Sequence, residues 1–92
     1  SGKTKEGALY LAMEMLKGRT LMDKKHFALA VEDFRAAYAM CPDAHIRRYL
    51  GRAYEGLAHW ENAKTAYNAC IQEAKTDKLR SYCDARLHAI QE

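Results

Sequence analysis

The stretch GRTLMDKKHFALAVEDFRAA, residues 18–37, returns 33 residues later as GRAYEGLAHWENAKTAYNAC, residues 51–70. Gly18 aligns with Gly51, Arg19 with Arg52, His26 with His59, Ala30 with Ala63 and Ala36 with Ala69. Large residues keep the same register: Leu21 meets Tyr54, Phe27 meets Trp60, and Phe34 meets Tyr67. Glycine inside a helix costs about 1 kcal/mol relative to alanine, so a glycine repeated at one period marks a place where a neighbour needs bare backbone. Small and aromatic residues recurring together describe one helical hairpin built twice, the small residue of one helix making room for the ring of the next.

The rest of the chain agrees with this reading. Its 92 residues make one domain with a modest core. With 49% hydrophobic and 29% charged residues it reads as globular, and a single proline among many Ala, Leu, Glu, Lys and Arg residues predicts an all-α protein. The spacing predicts helices over 5–23, 27–40, 44–57, 60–75 and 77–91, about five in all, with Asp43 and Asp77 as caps for the third and fifth. Gly18 and Gly51 are then close-approach positions, whereas Gly56 reads as a helix-ending residue. The final segment, TDKLRSYCDARLHAIQE, continues the period, with Ala85 falling 34 residues after Gly51. No partner helix follows, so it reads as a cap. The alternative is half of a third repeat, which leaves Leu79, Leu87 and Ile90 exposed for self-association. Ser1-Gly2 reads as a cleaved-tag remnant, and residues 1–4 as that remnant or a frayed terminus.

Charge and cysteines narrow the function classes. A formal net charge of +3 permits an acidic partner but lacks the dense basic stripe of a nucleic-acid binder, and Lys3, Lys5, Lys24 and Lys25 are scattered. Cys41, Cys70 and Cys83 are odd in number and form no CxxC pair, which predicts reduced thiols and a cytoplasmic location. No apolar run approaches the ~20 residues that cross a bilayer, so no membrane insertion is expected. His26, His45, His59 and His88 lack metal-ligand spacing, and His26 and His59 read as one loop position repeated. No phosphate-cradling loop follows a strand, and nothing orients Ser81 or Cys83 with His88. No enzyme, metal or cofactor is expected, and Cys70 reads as a small buried hydrophobe.

The pattern resembles the tetratricopeptide repeat (TPR), a unit of two antiparallel helices. Gly18, Leu21, Phe27, Ala30, Phe34, Ala37 and Pro42 match in the first repeat, and Leu50, Gly51, Tyr54, Trp60, Ala63, Tyr67 and Cys70 in the second. The resemblance implies hairpins stacked as a short right-handed superhelix, with repeat one over about 11–43, repeat two over about 44–76 and a capping helix over about 77–91. Departures occur at Glu14, Arg47, Lys17 and Lys75, where the family usually has large apolar residues or, at Lys75, a closing proline.

The resemblance also points to a surface. Met15, Arg19 and Met22 lie on one stripe of the first helix; Arg48, Arg52 and Glu55 lie on that of the third, and Tyr82, Arg86 and Ala89 on that of the fifth. In similar proteins these stripes line a concave peptide groove. The candidate peptide-binding set is Met15, Arg19, Met22, His45, Arg48, Arg52, Glu55, Tyr82 and Arg86. Arginine forks suit carboxylates and the methionines adapt to apolar anchors, so the expected partner is a peptide or protein segment of acidic character. The alternatives are an oligomerisation or docking segment acting through an end face or the convex surface, with homo-oligomers through the C-terminal helix, and a set of solvated arginines in which Glu14 and Arg47 bridge adjacent helices. The family's carboxylate clamp for chaperone tails maps onto Met15, Arg19, Tyr49, Leu79 or Lys78, and Tyr82 or Cys83. Only Arg19 fits in charge, which disfavours that ligand.

Overall fold

A computed structural model describes residues 5–91 and places five α-helices there, with no strand among the described residues. They are α1 (Lys5–Asp23), α2 (Phe27–Met40), α3 (Ala44–Gly56), α4 (Trp60–Glu73) and α5 (Asp77–Gln91). The expected spans agree, except that α3 and α4 stop at 56 and 73 rather than 57 and 75. Each helix packs mainly on the next in sequence, α1 on α2 through to α4 on α5. The expectation for residues 1–4 lies outside the described residues.

Two repeated turns end α1 and α3. Backbone N–H groups of Lys25 and His26 donate to Met22 and Leu21 O at 3.0 and 2.8 Å; those of Ala58 and His59 donate to Glu55 and Tyr54 O, both at 2.9 Å. This double bond pattern satisfies carbonyls that a helix end leaves free, and it needs a left-handed residue just past the helix. Lys25 (φ 62°) and Ala58 (φ 57°) take that conformation, at a cost of about 1 kcal/mol or more each for a residue with a Cβ. No glycine among the described residues has positive φ, so Gly56 does not serve as the flexible helix end. Its reason is contact: a Cβ there meets the Phe27 ring at 2.6 Å.

The same packing accounts for the two repeated glycines. A Cβ on Gly18 stands 2.5 Å from the Phe34 ring, and one on Gly51 stands 2.6 Å from the Tyr67 ring. Both rings are fully buried, so neither has open space to move into. Caps follow the sequence at one site and depart from it at another. Asp43 accepts from the His45 N–H at 2.7 Å, as expected. At α5 the cap is Thr76, whose hydroxyl accepts from the Leu79 N–H at 3.2 Å; Asp77 is already inside the helix and binds Arg80 at 2.6 Å.

The cysteines correct the sequence reading. Cys70 on α4 and Cys83 on α5 form a disulfide, both fully buried, and Cys41 remains a free thiol. Disulfides persist in oxidising compartments, so cysteine chemistry no longer supports the cytoplasmic assignment. The repeat explains the pairing. One period earlier stand Ala37 and Leu50, buried together in the core between α2 and α3, and the α4–α5 contact is the same one with cysteines in it.

The exposure that the half-repeat alternative implies at the C-terminal end is not found. Leu79 and Leu87 are buried and Ile90 packs against their cluster, because α4 covers that face of α5. Helices α3 and α5 both start 33 residues apart, at Ala44 and Asp77, so the counterpart of Gly51 is Asp84 rather than Ala85. Asp84 is exposed, and among the described residues no ring packs on it. The exposed apolar stripe lies on α1 instead, where Leu9, Met13 and Leu16 are 64%, 59% and 66% accessible. Met13 occupies the repeat position of Ile46 and Leu79, each only 4% accessible beneath the preceding helix. Helix α1 has no preceding helix among the described residues, and the same position stays open.

Candidate functional site

Helix α3 carries Arg48, Tyr49 and Arg52 within little more than one turn, and α1 and α5 flank it with Arg19 and Tyr82. The organising residue is Tyr49. One face of its ring stacks on Phe34, with centroids 5.3 Å apart and planes inclined by 22°. Three guanidiniums gather on what remains: Arg48 Cζ lies 4.8 Å from the ring centroid, Arg52 5.9 Å and Arg19 6.0 Å. Arg48 also lies 5.5 Å from the Tyr82 centroid. A cation over an aromatic face gains about 0.5–2 kcal/mol, which partly offsets the repulsion among three like charges. Among the described residues no carboxylate pairs with Arg19, Arg48 or Arg52. The Nε of Arg48 is buried and has no hydrogen-bond partner.

The expected fourth arginine is committed elsewhere. Arg86 pairs with Glu55 through both Nε, at 3.2 Å, and its terminal nitrogen, and the Tyr67 hydroxyl donates to the same carboxylate. Burial, and then the Glu55 carboxylate, push the Tyr67 phenol far above its ordinary value, so it stays protonated and keeps donating. The hydrogen bond to Glu55 likewise raises the Arg86 guanidinium. Glu55 and Arg86 therefore tie α3 to α5 rather than offering free charge to a ligand. Arg47 is occupied too: it lies 3.8 Å over the Tyr38 ring and pairs with Glu73 at 3.3 Å, not with Glu14.

Beside Arg48 a cavity of about 440 Å³ opens between α3 and α5, lined by His45, Arg48, Thr76, Lys78, Leu79, Ser81 and Tyr82. Its wall holds two permanent cations, Arg48 and Lys78, and three hydroxyls, those of Thr76, Ser81 and Tyr82, with Leu79 as its apolar member and no carboxylate. Of the other expected residues, Met15 and Met22 pack half-buried against the first core cluster beside Tyr49. The structure thus brings together Arg19, Arg48 and Arg52 around Tyr49, sets Met15 and Met22 against the same core cluster as Tyr49, and places His45 and Tyr82 around the cavity.

Helix pairs joined by short turns, a ring against a glycine in each pair, and a stripe of ligand-type side chains on the first helix of each describe a repeat protein. A family model for the tetratricopeptide repeat matches residues 15–43, which span the α1–α2 hairpin from the second half of α1. That match, over less than half of the chain, and the five-helix all-α fold fit a TPR-like repeat protein. No curated protein and no solved structure matches it. Proteins of this family are in general protein–protein interaction modules rather than enzymes, and a protein partner is the general expectation for this TPR-like chain. No helix of the described residues is long and apolar enough to cross a membrane.

Sequence reasoning named the arginines and missed Tyr49 as their centre. The signal was present: Leu16, Tyr49 and Tyr82 stand at one period, a third register of large residues beside those of Phe34 and Tyr67.

Proposed function

We propose that this TPR-like protein is a non-enzymatic adaptor that binds an acidic peptide segment along the faces of α1, α3 and α5. The single observation that carries this reading is the gathering of Arg19, Arg48 and Arg52 within 6.0 Å of the Tyr49 ring centroid without a carboxylate partner. Cations assembled at a cost and left unpaired favour an external anion, and the guanidinium fork binds carboxylates through paired bonds. We read the chain as one domain: a repeat over about 11–43, a second over about 44–76 and a cap over about 77–91. The disulfide favours an oxidising compartment over the cytoplasm as its place of action.

Selection of a degenerate short-peptide library on the immobilised protein tests the proposal. Retained peptides are expected to be enriched in Asp and Glu, and Arg48→Glu/Arg52→Glu is expected to lose that enrichment while its helical circular dichroism is unchanged. Enrichment of neutral sequences, or the same acidic set on the variant, overturns the reading.

A second reading, self-association, is favoured by the α1 stripe of Leu9, Tyr10, Met13 and Leu16. The outer face of α5 presents Lys78, Ser81, Asp84 and His88, so head-to-tail stacking offers that stripe no apolar partner. A second copy does: α1 against α1 is a two-fold contact. Light scattering should then show twice the 10.5 kDa chain mass, returned to monomer by Met13→Glu. A monomer at high concentration sinks this reading.

A further inference from the structure

We propose that the Tyr49 arginine cluster takes a phosphate dianion, carried on a phosphorylated side chain of the bound peptide. This deepens the peptide-groove reading and rests on it. The argument concerns charge density. Phe34 covers one face of Tyr49, so Arg19, Arg48 and Arg52 crowd the other face and the rim, each Cζ within 6.0 Å of a single centroid. One carboxylate neutralises one of these three charges. A phosphomonoester carries a charge of about −1.5 to −2 at neutral pH and three strong acceptor oxygens, which matches three forked donors better in both charge and bond number.

Two further observations favour an added acceptor. The buried Nε of Arg48 donates to no acceptor among the described residues, so an added anion would not have to displace an existing bond there. The adjoining cavity supplies Lys78 and the hydroxyls of Thr76 and Ser81 beside Arg48, with no acidic residue in its wall. By contrast, the cavity on the Tyr38 side of α3 is lined by Asp43 and Glu73, and there the neighbouring Arg47 already has its carboxylate. The acid-free surface is therefore local to Arg48 and its neighbours. A nucleic acid would need a longer basic track than three arginines on a chain whose net charge is only +3.

The test uses three degenerate peptide libraries differing at one fixed position (phosphoserine, glutamate or serine), together with inorganic phosphate alone and a single-stranded oligonucleotide. Each is titrated against the intact disulfide-bonded protein, with arginine Nε resonances read by NMR. The phosphoserine library is expected to bind about tenfold more tightly than the glutamate one, the equivalent of one added charge-assisted hydrogen bond, and to shift Arg48 Nε. Arg48→Lys, which keeps charge but loses the fork, and Arg52→Gln should each remove most of that advantage without altering the circular dichroism spectrum. Equal binding of the phosphoserine and glutamate libraries overturns the dianion and leaves the acidic-peptide reading standing. Binding of inorganic phosphate or oligonucleotide with no binding of any peptide overturns both. An advantage that survives in both arginine variants places the phosphate elsewhere and overturns the site.

Discussion

Reducing the Cys70–Cys83 disulfide is expected to lower the midpoint of thermal unfolding by roughly 12–24 °C. The bond closes a loop of sequence separation 13, and a loop of that size restrains the unfolded chain by about 3 kcal/mol. In a domain of this size each kilocalorie shifts the midpoint by about 4–8 °C. The native side adds to the effect, since α5 is covered on one side only and its buried Leu79, Cys83 and Leu87 all face α4. Thermal circular dichroism of the oxidised protein against the reduced protein and a Cys70→Ser/Cys83→Ser variant measures the shift. Thiol titration of the unfolded, unreduced chain should find Cys41 alone. Three free thiols, or an unchanged midpoint on reduction, would show that the helices hold without the bond.

The second large effect is expected at the repeated glycines. Gly51→Leu should destabilise the protein by about 3 kcal/mol or more, at or above the upper end of overpacking costs, because even a Cβ stands 2.6 Å from a ring with no exposed surface. Gly18→Leu should behave alike against Phe34. The mechanism makes a sharper claim than the magnitude: the penalty belongs to the glycine–ring pair. Gly51→Ala should therefore be destabilising in the native background, yet neutral or stabilising with Tyr67→Leu, where the ring is gone and alanine's better helix propensity remains. Denaturant unfolding of the four combinations reads the coupling directly. Additive effects would show that Gly51 is not there for Tyr67.

Much of this architecture was legible because its punctuation repeats. Gly18 and Gly51, Phe34 and Tyr67, and the histidines that close the hairpin turns all stand at one spacing, and the helices followed from them. Asp43 was legible as a cap because a carboxylate just after a proline has few other local uses. What escaped depends on contacts across helices. The disulfide followed neither from cysteine count nor from local spacing; it becomes legible only when Cys70 and Cys83 are placed one period after Ala37 and Leu50, whose contact is a matter of packing. Asp77 lost the capping role to Thr76 because the helix begins at Asp77 itself, so it is the side chain of the residue before it that reaches a free N–H group. At the candidate site the arginines were identifiable by stripe, but the free charge was not. Arg86 is committed because Glu55 stands opposite it and the buried Tyr67 hydroxyl holds that carboxylate, a three-residue arrangement drawn from three helices.

The packing of each helix mainly on its sequence neighbours has a kinetic consequence. In such a chain local opening starts at an end and spreads one helix at a time. The C-terminal end is fastened covalently, so opening is biased toward the other end. Helix α1 packs mainly on α2 and presents three open leucine and methionine side chains to water, so it is the first helix expected to open. Arg19 rides on that helix, whereas Arg48 and Arg52 sit on α3, in the middle of the stack. The basic cluster thus joins one arginine from the end expected to open first to two from the centre. A ligand that engages all three would stitch the loose end of the molecule to its firm centre, and occupancy would register as slower hydrogen exchange along α1, remote in sequence from most of the contacts that cause it.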